Sequence, residues 1–322
     1  YLLYTIATDP IVEDGKLKGV VIENKSGRQA VLAKVVIDAS GDGDIAARAG
    51  ADFIKGRETD GAMQPVSLMF KVGGVDYERA IFPSHFEDTI QIPAGEVQTL
   101  GKEHLPFPAG HVLLYRTSLP GVVTCNMTNC IEVDGTNAAE LARATLVCRQ
   151  QLQPILNFLH EYVPGYENCY LLSSAALIGV RETRHFKGLA TITEDDIRQA
   201  RAFPDWAVTY ASFNFDVHNM SGSGLDATGA QDAFKPTFYT IPYGCLVPEK
   251  LDGLLLAGRN ISGTHMAHSN YRVMPICANM GQAAGTAAAM CAKEGIEPRH
   301  VNVADLQAIL LQNGVLNPSE NK

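Results

Sequence analysis

Residues 254–260 have the sequence Leu-Leu-Leu-Ala-Gly-Arg-Asn, and this stretch decides the fold. Its continuous apolar run predicts a short strand that is buried on both faces. The Gly-Arg-Asn that follows predicts a sharp turn of the backbone where the strand ends. A polar loop is expected over residues 263–272, before Pro275, which suits the first turn of a helix.

The helix predicted after this loop is almost uncharged from residue 276 to residue 292 and ends at Gly295. Such a composition predicts a helix buried nearly all round, with a neighbour packed closely on Gly281 and Gly285. The unpaired N–H groups at its start would face the end of the strand. Together they form a candidate site for an anion or an electron-rich ring.

A second strand with a glycine turn lies at residues 35–44, Val-Val-Ile-Asp-Ala-Ser-Gly-Asp-Gly-Asp. The apolar residues predict another buried strand, and a short helix is expected from residue 45 to Gly50. The acidic turn is also typical of a helix cap, with Asp42 or Asp44 at the N-cap. A calcium loop is disfavoured because the spacing and the terminal Glu of an EF-hand are missing.

A third stretch is Gly-Val-Arg-Glu-Thr-Arg at residues 179–184, after a predicted strand. The planar guanidinium groups of Arg181 and Arg184 suit a carboxylate or phosphate group. An ion-paired surface strand, with Glu182 as the local partner, is the alternative interpretation.

These three stretches, together with His-Ser-Asn-Tyr-Arg-Val-Met-Pro at residues 268–275, resemble the FAD-dependent oxidoreductases related in fold to glutathione reductase and fumarate reductase. The resemblance implies an α/β fold, in which an FAD/NAD(P)-binding, Rossmann-like domain carries an inserted α+β substrate domain. It also implies an enzyme with FAD as its cofactor. The flavin would transfer hydride or electrons between a small organic substrate and an acceptor that the sequence does not identify.

The resemblance assigns cofactor binding to the two strand ends and to the helix start. In some flavoprotein families an acidic residue binds the ribityl hydroxyls where this chain has Arg259, so backbone groups are expected to make that contact here. The residues expected to bind FAD are Ser40, Gly41, Asp42, Gly258, Arg259, Asn260, Met274, Pro275 and Ile276.

The expected catalytic or substrate-binding residues are polar groups of the loop before the helix and of the third stretch. His265 and His268 are candidates for proton transfer. They lack a nearby third ligand, so no metal site is predicted. Support of the loop is the alternative role for the histidines, Tyr271 and Arg272. The full set is His265, His268, Tyr271, Arg272, Arg181 and Arg184.

The chain is expected to contain three segments: residues 1–60 and 246–322 form the FAD-binding domain, and residues 61–245 form the substrate domain. Residues 1–37 predict an antiparallel meander with an Asp-Gly turn at residues 14–15. No Gly-x-Gly-x-x-Gly opens a helix, although a dinucleotide-binding domain of this family begins with one. We therefore expect a fragment whose first nucleotide-binding segment lies upstream of Tyr1.

The composition narrows the possible partners. The 35 acidic and 26 basic residues give a net charge of −9, which argues against nucleic acid. No apolar run has the length of a membrane span. The seven scattered cysteines form no Cys-x-x-Cys pair and favour a reducing, cytoplasmic compartment. A small organic molecule, with a carboxylate group as one option, is the expected substrate.

A second hypothesis belongs to another class. The irregular, proline-rich stretch at residues 83–108 could serve as an interaction surface of a non-catalytic flavin-binding or partner-binding module. Reduction of bound flavin by a small organic donor would distinguish the enzyme from this module.

Overall fold

The computed structural model describes residues 1–83, 88–226 and 237–319. Residues 84–87, which are part of the proline-rich stretch, lie outside the described residues. The described residues include two short 3₁₀ helices, Tyr243–Leu246 and Pro298–His300, besides the β-strands and α-helices. In chain order, these are β1 (Thr5–Glu13), β2 (Lys16–Asn24), β3 (Gly27–Leu32), β4 (Val36–Asp38), α1 (Asp44–Arg48), β5 (Phe53–Lys55), β6 (Phe70–Gly73), β7 (Gln91–Ile92), β8 (Gly95–Glu96), α2 (Val97–His104), β9 (Leu114–Arg116), β10 (Val123–Cys125), α3 (Ala138–Gln150), α4 (Leu152–Tyr162), β11 (Tyr170–Ser174), β12 (Arg184–Phe186), α5 (Glu194–Arg198), β13 (Trp206–Ala211), β14 (Tyr239–Pro242), β15 (Leu254–Leu256), α6 (His265–Tyr271), α7 (Met274–Glu294) and α8 (Val303–Gln312).

The described chain divides into two compact units. The first unit contains residues 1–61, 184–216 and 237–319, and the second unit contains residues 62–183 and 217–226. The predicted segments are 1–60, 61–245 and 246–322, whereas in this division residues 184–216 and 237–245 group with the first unit.

Strand pairing explains why these residues pack with the first unit. Strand β12 pairs with β5, so Phe186 lies opposite Phe53, and β13 pairs with β14. Trp206, Val208 and Ile241 from the second pair are buried in the same apolar core as β15. Burial of these apolar side chains in that core favours packing of the segment that begins at Arg184 with the first unit.

The N-terminal meander forms as its turns predict. Strands β1, β2 and β3 pair in antiparallel order. Asp14 and Gly15 connect the first two with backbone φ angles of 50° and 75°. Both values are positive, which a tight hairpin requires and which Asp-Gly adopts at low cost.

The two buried strands predicted from their apolar runs are neighbours. Strand β15 pairs in parallel with β4, so that Leu256 lies opposite Asp38. All three leucines of β15 are fully buried, and burial of each contributes about 2 kcal/mol to folding. Because the strands are parallel, the segments that leave their C-terminal ends start at the same edge.

Helix α7 packs on this pair of strands through one face only. Its buried residues recur at helical spacing and are Ile276, Met280, Ala283, Ala284, Ala287, Met290 and Cys291. Ala278, Asn279 and Gln282 are exposed. A side-chain carbon added at Gly281 or Gly285 would meet no described atom within 4 Å. The predictions of all-round burial and of a close neighbour at these glycines are therefore wrong for the described residues. Alanine and glycine do not show by themselves which face is buried.

The second unit has an antiparallel sheet in the order β11-β6-β10-β9. Phe70 and Val72 of β6 pack with Ile155 and Leu159 of α4 in its apolar core. Helix α3 begins after Asn137, whose side chain accepts hydrogen bonds from the N–H groups of Ala139 and Glu140.

All seven cysteines are free thiols, and six of them are buried. Among the described residues, no helix combines the length and apolar character needed to cross a lipid bilayer.

Candidate functional site

The loop after β4 is organised by the buried carboxylate of Asp38, which is 4% exposed. Its Oδ1 accepts hydrogen bonds from the backbone N–H and the hydroxyl of Ser40, and its Oδ2 accepts one from the N–H of Ala46. The Ser40 hydroxyl oxygen in turn accepts from the N–H groups of Gly43 and Asp44. The donor and both lone pairs of this hydroxyl are thus used within the loop. Ser40 shapes the loop.

Gly41 and Asp42 join this loop to the segment after β15. The Arg259 guanidinium donates to Asp42 Oδ1 at 2.9 Å. Gly41 has a φ of 86°, and a Cβ there would lie 2.7 Å from Arg259 Nη2. Glycine at this position adopts the positive φ at low cost and leaves room for the Arg259 guanidinium beside Asp42. Its Nε is buried and has no acceptor among the described residues.

Gly258 and Asn260 offer groups that a ligand could contact. These groups are the backbone at Gly258 and one buried hydrogen-bond acceptor of Asn260. Gly258 has a φ of 111°, and among the described residues only Asn260 Oδ1, at 3.8 Å, lies within 4 Å of its missing Cβ. Asn260 is fully buried and donates through Nδ2 to the Asp38 carbonyl. Its Oδ1 accepts no hydrogen bond within the described part of the chain. A buried oxygen without a donor indicates a place for a polar ligand.

The start of α7 supplies hydrogen-bond donors at the same end of the unit. Val273 precedes the helix without a side-chain cap, and Met274 is 86% exposed. The first N–H groups of a helix lack partners within the helix and carry its positive end. Burial raises the pKa of Cys277 in this first turn, and the guanidinium groups of Arg259 and Arg272 act in the opposite direction. The helix start therefore lies within electrostatic reach of the loop after β15.

The residues predicted as cofactor contacts thus have different roles. Gly258, Asn260, Met274 and Pro275 leave backbone, an acceptor or surface available to a ligand. Ile276 is buried in the apolar core, where it anchors the helix start.

The two predicted histidines lie on helix α6, not on a loop. Thr264 caps this helix by accepting a hydrogen bond from the Ala267 N–H, a local signal that the polar composition hid. His265 and His268 are buried, and the His265 N–H donates to Glu58. The His268 ring lies edge to face with that of His185, with ring centres 4.7 Å apart. The sequence prediction missed His185, which no motif marks.

Three predicted substrate ligands of the first unit bind protein groups. Arg184 donates to the Asp42 carbonyl at 2.8 Å and to Asp44 at 2.9 Å. Arg272 donates to the carbonyl and the carboxylate of Asp216, each at 2.8 Å. The Tyr271 hydroxyl donates to the Ile261 carbonyl, and its ring fills the space beside Gly263. For Arg272 and Tyr271 these contacts favour the loop-support alternative, and the Arg184–Asp44 ion pair favours an ion-paired role for Arg184.

Arg181 belongs to the second unit, where its guanidinium donates to the Pro65 carbonyl at 2.6 Å. It lines a small cleft of that unit together with two buried histidines, His111 and His218, that the sequence prediction missed.

The family profile described as "FAD dependent oxidoreductase" matches residues 1–310 of the 322. The chain belongs to this family. The match confirms the family that the motifs predict, with its mixed α/β fold, its FAD cofactor and its assignment to the oxidoreductases.

Solved structures resemble this chain only distantly. One is a geranylgeranyl bacteriochlorophyll reductase-like protein from Thermoplasma acidophilum, with 12% identity and a TM-score of 0.44 over 96% of this chain and 54% of its own. Another is p-nitrophenol 4-monooxygenase from Pseudomonas putida, with 10% identity and a TM-score of 0.37 over 90% of this chain and 49% of its own. The chain thus spans about half the length of these structures. No curated protein matches it.

The residues around the two strand ends fit FAD. Asn260 Oδ1 is a buried acceptor for a ribityl hydroxyl, and the backbone beside Gly258 is open. The uncapped start of α7 suits an electron-rich ring edge or a phosphate. These groups would hold the cofactor, whereas Asp38, Ser40, Asp42 and Arg259 keep the two loops in place.

Proposed function

We propose that this protein is a flavin-dependent oxidoreductase that transfers hydride or electrons between a small organic substrate and a separate acceptor. Asn260 carries the proposal, because a fully buried oxygen without a donor lies beside open backbone at the end of β15. When bound, FAD supplies the hydride chemistry, and the protein binds and orients it. The positive end of α7 favours negative charge beside it.

The buried histidines of the first unit are the candidates for holding a proton in this proposal. His268 and His185 are both buried, and their rings lie edge to face with centres 4.7 Å apart. His265, which is also buried, is the other candidate on α6.

Arg184, Arg272 and Tyr271 act as positioning residues in this proposal. Each arginine is already bound to a carboxylate of the first unit, and the tyrosine hydroxyl is bound to backbone. Their contacts support the loops on which the FAD groups depend.

The test compares flavin binding and flavin reduction in one set of proteins. FAD is added to the protein, and its visible absorption bands are followed, first in air and then anaerobically with small organic donors. We expect perturbed bands in the wild type and their loss with at least one donor. Asn260→Ala should weaken FAD binding by about tenfold, the equivalent of one hydrogen bond.

Asn302→Ala is the matched control, because Asn302 caps α8 through the Ala304 N–H in the same unit. It should cost about 1 kcal/mol of stability and leave FAD binding unchanged. Bound FAD that no donor reduces would favour the non-catalytic module. Absence of FAD binding to the folded wild type would overturn the proposal.

A further inference from the structure

An open cavity of the first unit lies between the N-terminal meander and the C-terminal end of helix α7. Its volume is about 490 Å³, within the range of roughly 300–1,000 Å³ that is typical of sites for small organic molecules. Three of the residues that line it are basic, and these are Lys16, Lys18 and Lys34. The cavity therefore combines the size of a ligand site with a concentration of positive charge.

This cavity is separate from the groups assigned to FAD. Those groups lie at the start of α7, whereas Cys291 and Gly295 line the cavity at the other end of the helix. From Pro275 to Cys291 the helix rises by about 24 Å, at 1.5 Å per residue. A ligand in the cavity would leave the flavin groups free.

Strand alternation places two of the lysines on one face of β2. Successive side chains of a strand point to opposite faces, so Lys16 and Lys18 share the face opposite to that of Leu17, which is fully buried in the apolar core. The third lysine, Lys34, follows the end of β3, where the Ala33 N–H donates to the Lys18 carbonyl at 2.8 Å. Pairing of β2 with β3 thus brings the three lysines to one cavity.

Two of the lysines are held in place by protein groups. Lys16 forms an ion pair with Glu297, whose other carboxylate oxygen accepts the Gly253 N–H at 3.1 Å. Lys34 donates to the Ala292 carbonyl, in the last turn of α7, at 2.7 Å. An ammonium group has three donors, so both lysines keep donors for a ligand.

Lys18 supplies the unpaired charge of the cavity. Within the described part of the chain, its ammonium has neither a hydrogen-bond acceptor nor an acidic partner. The lining residues carry three positive charges and one negative charge, that of Glu13. Glu297 offsets Lys16, and the negative end of α7 offsets only about half a charge more. The remaining balance is positive and favours an anion.

We infer that this cavity binds a phosphate ester of a small organic molecule. Ammonium groups are compact charges that suit a phosphate, whereas the fork of an arginine, which matches a planar carboxylate, is missing from the described lining residues. Leu32, Ala33 and Ile296 supply apolar surface for the organic part, and Leu32 is 73% exposed. Such binding requires no flavin and goes beyond the proposed function.

Calorimetric titration of the full chain with phenyl phosphate tests the inference, with phenol and inorganic phosphate as comparison ligands. Phenyl phosphate has both parts of the inferred ligand and shares no adenine or flavin ring with FAD. We expect it to bind at least tenfold more tightly than either comparison ligand. Equal affinity for inorganic phosphate would reveal a simple anion contact and overturn the inference.

Lys18→Met removes the unpaired charge and keeps a long side chain. It should weaken the binding of phenyl phosphate at least fivefold. Lys25→Met is the matched control, because Lys25 is exposed in the turn after β2 and does not line the cavity. The control should bind as the wild type does. Unchanged affinity in Lys18→Met would contradict the inferred site.

Lysine labelling of the wild type covers the case in which Lys18→Met fails to fold. Reductive methylation, followed by mass spectrometry, should show that phenyl phosphate slows the modification of Lys18 but not that of Lys25. Equal modification of Lys18 with and without the ligand would refute the site.

Titration of the protein saturated with FAD separates this site from the flavin site. Phenyl phosphate should bind with the same affinity as it does without FAD. Loss of its binding would place it among the flavin groups and refute the cavity, while the proposed function would stand. Binding of phenyl phosphate by a chain that binds no FAD would retain this site and remove the proposed function.

Discussion

Single residues decide whether the two strand-end loops can meet. Gly41 has a positive φ and lies against the Arg259 guanidinium, whereas Gly50 has a similar φ of 93° and no described atom within 4 Å of its missing Cβ. Substitution of each glycine can therefore distinguish the effect of backbone strain from the effect of the close approach of Arg259.

We predict that Gly41→Ala and Gly50→Ala each lose about 1 kcal/mol of unfolding free energy through backbone strain. Only Gly41→Ala should also displace Arg259 from Asp42 and weaken FAD binding severalfold. Urea unfolding and FAD titration measure the two effects. Equal FAD affinity in both variants would show that the Arg259 contact does not shape the site.

Substitutions in the Arg272–Asp216 pair can show whether Arg272 supports the structure or binds substrate. Both side chains are largely buried, at 12% and 20% exposure. Arg272→Gln should lower the unfolding free energy by about 2 kcal/mol, because the Asp216 carboxylate loses its charged donor. A double-mutant cycle with Asp216→Asn should show coupling of about 1 kcal/mol or more. Additive losses would mean that Arg272 does not support this segment.

Individual residues also limited the sequence prediction. The glycines at 41 and 258 were found because strand-end motifs contain them. His111, His185 and His218 stand alone in unrelated segments, and no spacing relates them. Only the fold shows which of them share a cleft or a ring contact.

At the scale of elements, the start of α7 is the clearest electrostatic feature. It has no side-chain cap, and its exposed Met274 allows a charge to be added without disturbing the core. A negative charge there opposes the positive end of the helix.

We predict that Met274→Glu makes the reduction potential of bound FAD more negative, because reduced flavin carries negative charge. Gln282→Glu adds the same charge at an exposed position two turns along the helix and should change the potential much less. Potentiometric titration of both variants measures the difference. Identical shifts would argue against a flavin at the helix start.

The stability of the segment that begins at Arg184 can be tested through Asp196 on helix α5. Burial tends to raise the pKa of Asp196, but hydrogen bonds from Thr193 and Arg201 outweigh it, so that the pKa is lowered. A carboxylate with a lowered native pKa stabilises the fold above its unfolded pKa and loses this contribution as the pH falls through the native pKa.

Asp196→Asn should therefore cost about 1–2 kcal/mol near neutral pH, and the difference from the wild type should shrink in acid. Asp195→Asn, in the same helical turn, is the control and should cost less. Urea unfolding at several pH values measures both. A difference for Asp196→Asn that stays constant down to acid pH would contradict the lowered pKa.

The elements themselves were the most predictable level. Three leucines in a row predict β15, and the Asp-Gly turn predicts the meander. Helix α6 was missed because its cap at Thr264 stands among histidines and other polar residues typical of a loop. The burial of α7 was overestimated because an uncharged helix need not bury every face.

For the whole molecule, the division into two units means that unfolding of the first unit can be followed by itself. The chain has a single tryptophan, Trp206, which is 7% exposed in the core of the first unit. Its fluorescence therefore reports unfolding of the unit that contains the flavin-site residues.

We predict that FAD raises the midpoint of the thermal transition followed by Trp206, because a ligand stabilises the folded unit that binds it. A midpoint unchanged by saturating FAD would place flavin binding outside the first unit.

The division into units was only partly predictable. The exit near residue 61 follows a change of pattern, but the return at Arg184 follows from pairing of β12 with β5, more than a hundred residues earlier. Long-range pairing of three-residue strands leaves no periodic signal in the sequence.

The central claim is that the loops after β4 and β15 and the start of α7 hold FAD. Hydrogen–deuterium exchange with and without FAD tests it most directly. We expect slower exchange of amides in residues 39–46, 257–262 and 273–278, and no change in residues 303–312. FAD that binds and protects other segments while leaving these three unchanged would contradict the account.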